Sequence, residues 1–362
     1  MEKVDNKVGI FILNHNGIRW LKENLYTVNK YSKAHRIVII DNNSTDDSIE
    51  YIEANFPNIK IKKHQYNYGF SKGYNRVLMK EFDLEYFILM NNDVTVTPNW
   101  IEPMLELIQQ KDVGIIQPKI INSIKQNQFD YAGAAGGFID ILGLPFCRGR
   151  IINNLELDFG QYDENINIFW ASGCCFLIKR KLFQRLKGFD EDLFMHQEEI
   201  DLCWRTHGLK KKIYYCGSSL IYHYGGGTLN NQNPKKHYYN HRNNLLILIK
   251  NMPTHLLIAT LPMRLLLDYC IILSYLILGL LYLLYTAPLH LNTSYKASST
   301  YGYKMIKKSF WIVLSHISFL LLLKKFLKKR YPIIDTKQMY LRSIIWDYYI
   351  LKKKKFSDLK KF

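Results

Sequence analysis

The sequence predicts an α/β fold, with a mostly parallel, Rossmann-like sheet carrying helices on both faces and followed by membrane-associated helices. Three observations predict it. Through the first 120 residues, short apolar runs alternate with segments whose apolar residues recur at helical spacing, the pattern of successive βαβ units. Several apolar runs end in Asn or Asp, where open parallel sheets present polar groups to ligands. After about residue 250, uncharged runs and lysine clusters replace this alternation.

The elements follow in order. Residues 8–13 are a buried strand ending at Asn14. Residues 17–31 place Ile18, Leu21, Leu25 and Val28 on one helical face. Residues 36–40 form a second strand ending in Asp41-Asn42-Asn43-Ser44. Ser44 suits an N-cap, and Asp46 and Asp47 suit a helix first turn. That helix carries Ile49 and Ile52 and stops before Pro57. Residues 59–63 make a weaker strand, 70–82 a helix and 86–90 a fourth strand. Pro98 suits the first turn of another helix, and 113–116 is a further strand. Residues 122–168, rich in Gly, Asn and Asp, predict long loops with a hairpin around 142–150. Regular structure resumes over 169–180, with helices near 181–186 and 198–207 and short strands at 212–215 and 220–223.

At 362 residues and 48% apolar content the chain can bury a sizeable core. Its net charge is +18, but residues 304–362 hold sixteen Lys and Arg against Asp335, Asp347 and Asp358, which is +13 and leaves +5 for the rest. A charge confined to the tail argues against a nucleic-acid-binding surface. The six cysteines show no CxxC spacing, so a reducing compartment is expected. The first residues lack an apolar core, so no secretory signal is expected. Two domains are expected, 1–250 and a hydrophobic, basic helical tail over 251–362. Residues 269–289 carry no charge over 21 positions, enough to cross a bilayer as a helix. Residues 309–323 are a second, shorter run followed by a lysine cluster. A cytoplasmic tail is expected, either as a hairpin or as helices lying in the interface, with lysines on anionic headgroups.

The candidate functional residues lie at the predicted strand and helix ends. Asp41 ends a strand and can face a ligand; it also fits ordinary turn chemistry. Asn67, Gly69 and Asn75 flank a loop-to-helix junction, where backbone N–H groups attract phosphate or ribose. Asp93, in Asn91-Asn92-Asp93, follows a buried strand and suits a hard cation bound to a diphosphate. His223 suits an imidazole ligand. Glu198 and Glu199 point about 100° apart on a helix, so one of them can meet an acceptor as a base. Arg242 suits either a diphosphate or a membrane interface.

Together these segments resemble the family 2 glycosyltransferases of the GT-A fold, and among them the rhamnosyltransferase-like members. The resemblance covers roughly residues 7–250. It rests on Ile12-Leu13-Asn14-His15-Asn16-Gly17, Asp41-Asn42-Asn43-Ser44-Thr45-Asp46, Asn67-Tyr68-Gly69-Phe70 and Leu89-Met90-Asn91-Asn92-Asp93. It continues through Gly188-Phe189-Asp190-Glu191, Glu198-Glu199-Ile200-Asp201-Leu202-Cys203-Trp204-Arg205 and His223-Tyr224-Gly225-Gly226.

The resemblance implies an inverting transfer from a nucleotide-diphosphate sugar to a hydroxyl of a lipid-linked or glycan acceptor, at the cytoplasmic face of a membrane. Asn14, Asp41, Asn67, Gly69, Asn75, Asn91, Asn92 and Asp93 would hold the donor. Asp93 and His223 would hold Mn²⁺ or Mg²⁺. Glu199, with Glu198 beside it, would be the base, and Trp170 and Gly173 would line the acceptor side. Two departures stand out: Asn91 replaces the first acid of the family's Asp-x-Asp, and Glu199 replaces an Asp. Those departures support the alternative, a non-catalytic membrane-associated scaffold. A processive synthase is disfavoured, because the sequence has no Gln-x-x-Arg-Trp.

Overall fold

A computed structural model describes residues 7–225, 235–286, 293–333 and 337–359. The chain forms two compact units: Met1–Thr228 together with Ile333–Phe362, and Leu229–Pro332.

In the first unit β1 (Val8–Asn14), α1 (Ile18–Tyr31), β2 (Arg36–Asp41), α2 (Ser48–Asn55), β3 (Lys60–Lys63), α3 (Gly69–Leu78) and β4 (Tyr86–Asn91) build the parallel half of the sheet. β1 pairs with β2 on one side and β4 on the other, with Asn14 opposite Asp41 and Leu13 opposite Asn91. These strands are buried on both faces, which is why they read as continuous apolar runs. β5 (Val94–Val96), α4 (Glu102–Ile108) and β6 (Val113–Asn122) follow. Pro103 rather than Pro98 occupies the first turn of α4.

Residues 122–168, expected as loops around one hairpin, instead contain four strands of a second sheet: β7 (Gly137–Asp140), β8 (Pro145–Cys147), β9 (Arg150–Ile151) and β10 (Asn154–Leu155). Strands of two to four residues are too short to show alternation. The main sheet then resumes with β11 (Ile166–Ile168), β12 (Cys175–Lys179), α5 (Arg180–Arg185), α6 (Glu198–Gly208) and β13 (Lys212–His223). The two short strands expected at 212–223 are one strand with an irregularity between Cys216 and Leu220.

The main sheet runs β11-β13-β6-β12-β4-β1-β2-β3, with β5 paired to β13. It is a mixed sheet, parallel through β1–β4 and between β6 and β13. β12 lies antiparallel between β4 and β6, because it returns from the small sheet without the helical crossover that parallel pairing needs.

The expected single break near residue 250 is redrawn. α7 (Lys235–Asn251), α8 (Thr254–Thr286) and α9 (Thr293–Lys328) form the second unit. The chain then rejoins the first unit: β14 (Met339–Tyr340) pairs in parallel with β7. Asp140 accepts the backbone N–H groups of Leu142 and Leu144 on one oxygen and that of Ile344 on the other. Phe356 packs 5.2 Å from Phe138.

Stretches of α8 and α9 are long and apolar enough to cross a membrane by length and composition. Both helices exceed the uncharged runs of the sequence. α8 begins well before residue 269 because its charged side chains, Arg264 and Asp268, are buried inside the unit. Asp268 accepts from His241 of α7 at 2.8 Å, from His316 of α9 at 3.0 Å and from Arg264 one turn away.

Candidate active site

The carboxyl ends of β1, β2 and β4 carry a frame of asparagines. Asn92 donates to Asn14 (2.8 Å), and Asn14 donates to Ser44 (3.1 Å). Asn42 donates to Asn67 (2.9 Å) and to the Gly69 carbonyl (3.0 Å), while its oxygen accepts from the Tyr68 N–H. Asn75 exchanges two 2.9 Å bonds with the backbone of Phe189. The amides of Asn14, Asn67, Asn75 and Asn92 are therefore engaged in holding loops together, which fixes the backbone around Asp41 and Gly69. Asn91 ends β4, and its N–H donates to the Cys174 carbonyl at 2.9 Å.

Asp41 is the charged group within this frame. One of its oxygens caps the Ser44 N–H at 3.1 Å. The other, Oδ1, is buried and makes no hydrogen bond among the described residues. A buried carboxylate oxygen left unmatched is costly unless a ligand meets it, so Asp41 fits a donor contact.

Gly69 opens α3 at φ +71°, and a Cβ there would meet the Phe194 ring at 2.7 Å. The Phe194 carbonyl accepts from Phe70 and Ser71. This contact ties the start of α3 to the loop that leads into α6. The loop is strained: Phe194, His196 and Gln197 all have φ between 63° and 67°, a region that non-glycine residues rarely occupy.

The strained loop delivers Glu198 and Glu199 at the start of α6. Glu198 is buried, and its Oε2 makes no hydrogen bond among the described residues. Burial, reinforced by the neighbouring Glu199 charge, holds its pKa well above the usual carboxylate range. Glu199 lies in the first turn, less deeply placed. Burial pushes its pKa up to about 7, against the pull of backbone N–H groups. That value suits a general base working near neutrality. Asp201, two residues on, is instead committed to Arg205 at 2.8 Å. A Cβ on Gly173 would lie 3.6 Å from the Glu199 carboxyl carbon, so Gly173 and Glu199 share one surface. Trp170 is placed differently. It is 5% exposed, its indole donates to the Phe138 carbonyl, and its ring covers Gly137. It packs against β7 of the small sheet.

Asp93 and His223 lie together across the β5–β13 pairing, where Val94 lies opposite His223. His223 Nε2 is 3.3 Å from Asp93 Oδ1. The other ring nitrogen, Nδ1, is 2.9 Å from Asp130. Sequence reasoning missed Asp130. It lies 93 residues from His223, in the stretch expected as loops, and the only cue was the glycine-rich run that follows it.

Burial pulls the His223 pKa down, but Cys174, Asp93 and Asp130 together raise it well above the ordinary value. Nε2 is buried without a hydrogen bond among the described residues. With Asp130 accepting from Nδ1, that nitrogen either keeps a proton beside Asp93 or offers its lone pair to a cation. The 3.3 Å gap is within the span of two metal–ligand bonds of about 2.1 Å. The carboxylate oxygen suits Mn²⁺ or Mg²⁺. Asp130 then has the place of the carboxylate that orients a metal-binding histidine. No group of three or more His, Cys, Asp or Glu is arranged to hold a metal ion among the described residues, so any ion here relies on further oxygens from its ligand. Arg242 and Asn243 belong to α7 of the second unit.

Residues 9–187 match the family model described as glycosyl transferase family 2. The low-salt glycan biosynthesis hexosyltransferase Agl10 of Haloferax volcanii is 25% identical over 58% of this chain and 64% of its own length. The N-acetylglucosaminyl-diphospho-decaprenol L-rhamnosyltransferase of Mycobacterium tuberculosis is 24% identical over 46% of this chain and 59% of its own length. The chain thus spans less than two thirds of either relative. Among solved structures, GalNAc-T7 with UDP, GalNAc and Mn²⁺ aligns with a TM-score of 0.51 at 19% identity, over 67% of this chain and 47% of that one.

Proposed function

Because residues 9–187 belong to glycosyl transferase family 2 and the fold is that of the GT-A enzymes, we propose that this chain transfers a sugar from a nucleotide-diphosphate donor to an acceptor hydroxyl in a single inverting step. The observation that carries the proposal is Glu199. It is a carboxylate with a pKa near 7 beside Gly173, whose neighbour Cys174 is bonded to the Asn91 end of β4. Base and donor-holding strand ends are therefore adjacent.

In this reading Asp41 meets the nucleoside, and the Gly69 end of α3 offers backbone to the donor. Asp93 and His223 would hold a divalent cation, with Asp130 orienting the imidazole; Mn²⁺ or Mg²⁺ there would supply positive charge beside the departing diphosphate. Glu199 takes the proton from the acceptor hydroxyl as its oxygen attacks the anomeric carbon. Glu198, kept protonated by burial, leaves the negative charge on Glu199.

The relatives' names favour a hexosyl or rhamnosyl donor, and one names a lipid diphosphate acceptor. We assign this chain a lipid-linked or glycan acceptor in surface glycan synthesis. α8 and α9 hold the enzyme at the cytoplasmic face of the membrane, where anionic lipids meet its basic tail. The test is a panel of nucleotide sugars scored by thermal stabilisation with and without Mn²⁺, followed by transfer assays on the donor that binds. Glu199→Gln should keep donor stabilisation and lose transfer. Full turnover by folded Glu199→Gln would remove Glu199 as the base.

A further inference from the structure

We propose that residues 337–359 form a second membrane contact, built on the catalytic unit itself, which docks on an anionic lipid surface. It does not depend on whether α8 and α9 cross the bilayer.

The segment is fastened to the first unit at several points. β14 pairs with β7, Asp140 accepts the Ile344 N–H, the Asn154 amide donates to the Lys354 carbonyl, and the Phe356 N–H donates to Glu156. Between these anchors the chain presents Leu341, Trp346, Tyr349, Ile350 and Leu351, which are 45–57% exposed. Five large apolar side chains left in solvent within eleven residues are unusual for a surface segment.

Around them stand Arg342, Lys352, Lys353, Lys354 and Lys355, with only Asp347 and Asp358 as acids over 337–359. Of these acids Asp347 is turned inward and Asp358 is exposed. Asp347 is fully buried, accepting from Tyr340 and from Lys353 at 3.1 Å. Asp358 accepts the backbone N–H groups of Lys354 and Lys355. Arg342 and Lys353 pair with Asp347, which leaves exposed Lys352, Lys354 and Lys355 against exposed Asp358, a net cationic face, and among its apolar groups Trp346 and Tyr349 are of the kinds that settle at headgroup depth.

Charge complementarity selects an anionic bilayer as the occupant. A contact on the catalytic unit would fix the height and tilt of the site above the membrane.

The test uses the full chain with Cys270→Ser and Ile350→Cys. Among the cysteines Cys270 is the exposed one and the others are buried, so an environment-sensitive fluorophore reports position 350. The labelled protein is mixed with vesicles of phosphatidylcholine brominated in its acyl chains, with or without phosphatidylglycerol. Flotation of the vesicles separately reports whether the protein is bound at all. Quenching should appear with phosphatidylglycerol, fall with added salt, and weaken by roughly fivefold for each of Lys352→Gln, Lys354→Gln and Lys355→Gln. Floated protein with unquenched label overturns the proposal. So does shielding of the label that rises with protein concentration without vesicles, which would make a second copy the occupant.

Discussion

Two clusters of aspartate and histidine, one in each unit, invert each other's arithmetic. In the catalytic unit two carboxylates, Asp93 and Asp130, flank one imidazole, and Nε2 of that ring makes no hydrogen bond among the described residues. In the helical unit one carboxylate, Asp268, takes two imidazoles and a guanidinium, and both its oxygens are paired. The first cluster carries surplus negative charge and an unmatched nitrogen, the condition in which a buried group gains by meeting a cation. The second is closed on itself and ties three helices together. The Glu198–Glu199 pair belongs with the first kind: two adjacent acids held above their ordinary pKa by burial. On the proposed function, the groups left with an unmatched nitrogen or oxygen serve chemistry, and the closed cluster serves the fold.

The contrast is sharpest for Glu199→Gln. Loss of the base should lower transfer by about 10²- to 10⁴-fold. The same change should stabilise the protein. Glu199 has a folded pKa of about 7 against an ordinary 4.5, so between those values the folded chain holds a proton that the unfolded chain has lost. Stability therefore falls as pH rises from about 4.5 to about 7. The Gln variant lacks that slope and should be more stable at pH 7, by on the order of 2 kcal/mol. Denaturant titrations at pH 5 and pH 7 check the sign. A variant equally destabilised at both would place Glu199 with the structural charges.

Asp268→Ala should do the reverse. Removing it leaves Arg264 buried beside His241 and His316 without its carboxylate. Breaking such a cluster costs about 3–5 kcal/mol, readable as a lowered unfolding midpoint in detergent micelles. Transfer per folded molecule should hold. If it collapses while the fold survives, the clean division between the two clusters fails.

Asp130→Asn probes the open cluster more gently. Loss of the charge behind His223 should weaken Mn²⁺ binding by about 10- to 100-fold, measured calorimetrically on the donor complex, with thermal stability nearly unchanged. Unaltered affinity would make the Asp93–His223–Asp130 chain an ion triad rather than a metal support.

The same contrast explains what could be read from the sequence. β1, β2 and β4 were legible because both their faces are buried, and Asp41 and Asp93 because they stand at the ends of those runs. Glu198 and Glu199 were legible from their place at a helix start. Asp130 was not, since its partner lies on a strand 93 residues away. Nor was the small sheet, whose strands are too short for periodicity and whose edge β14 arrives from residue 339. Arg264 and Asp268 misled the reading of α8: they interrupt an apolar run in sequence, yet in space they neutralise each other inside the helix bundle. The return of the terminus to the first unit was not legible either, because a lysine-rich stretch gave no sign that Met339 and Phe356 join the small sheet and its core.

The smallest expected effect falls on Gly173. A Cβ there would sit 3.6 Å from the Glu199 carboxyl carbon and 3.6 Å from the Phe70 ring, ordinary contact distances. Gly173 is also not among the glycines with positive φ. Gly173→Ala should therefore fold with a stability change within about 0.5 kcal/mol. What it alters is the surface beside the base: a methyl group now stands where the acceptor hydroxyl would approach Glu199. The KM for the acceptor should rise several-fold while the KM for the nucleotide sugar stays fixed, since Asp41 is untouched and Phe70 is met only at an ordinary contact distance. Steady-state kinetics with each substrate varied in turn separates the two. A rise in the donor KM instead would move Gly173 to the donor side, and no change in either would take the acceptor off this face of Glu199.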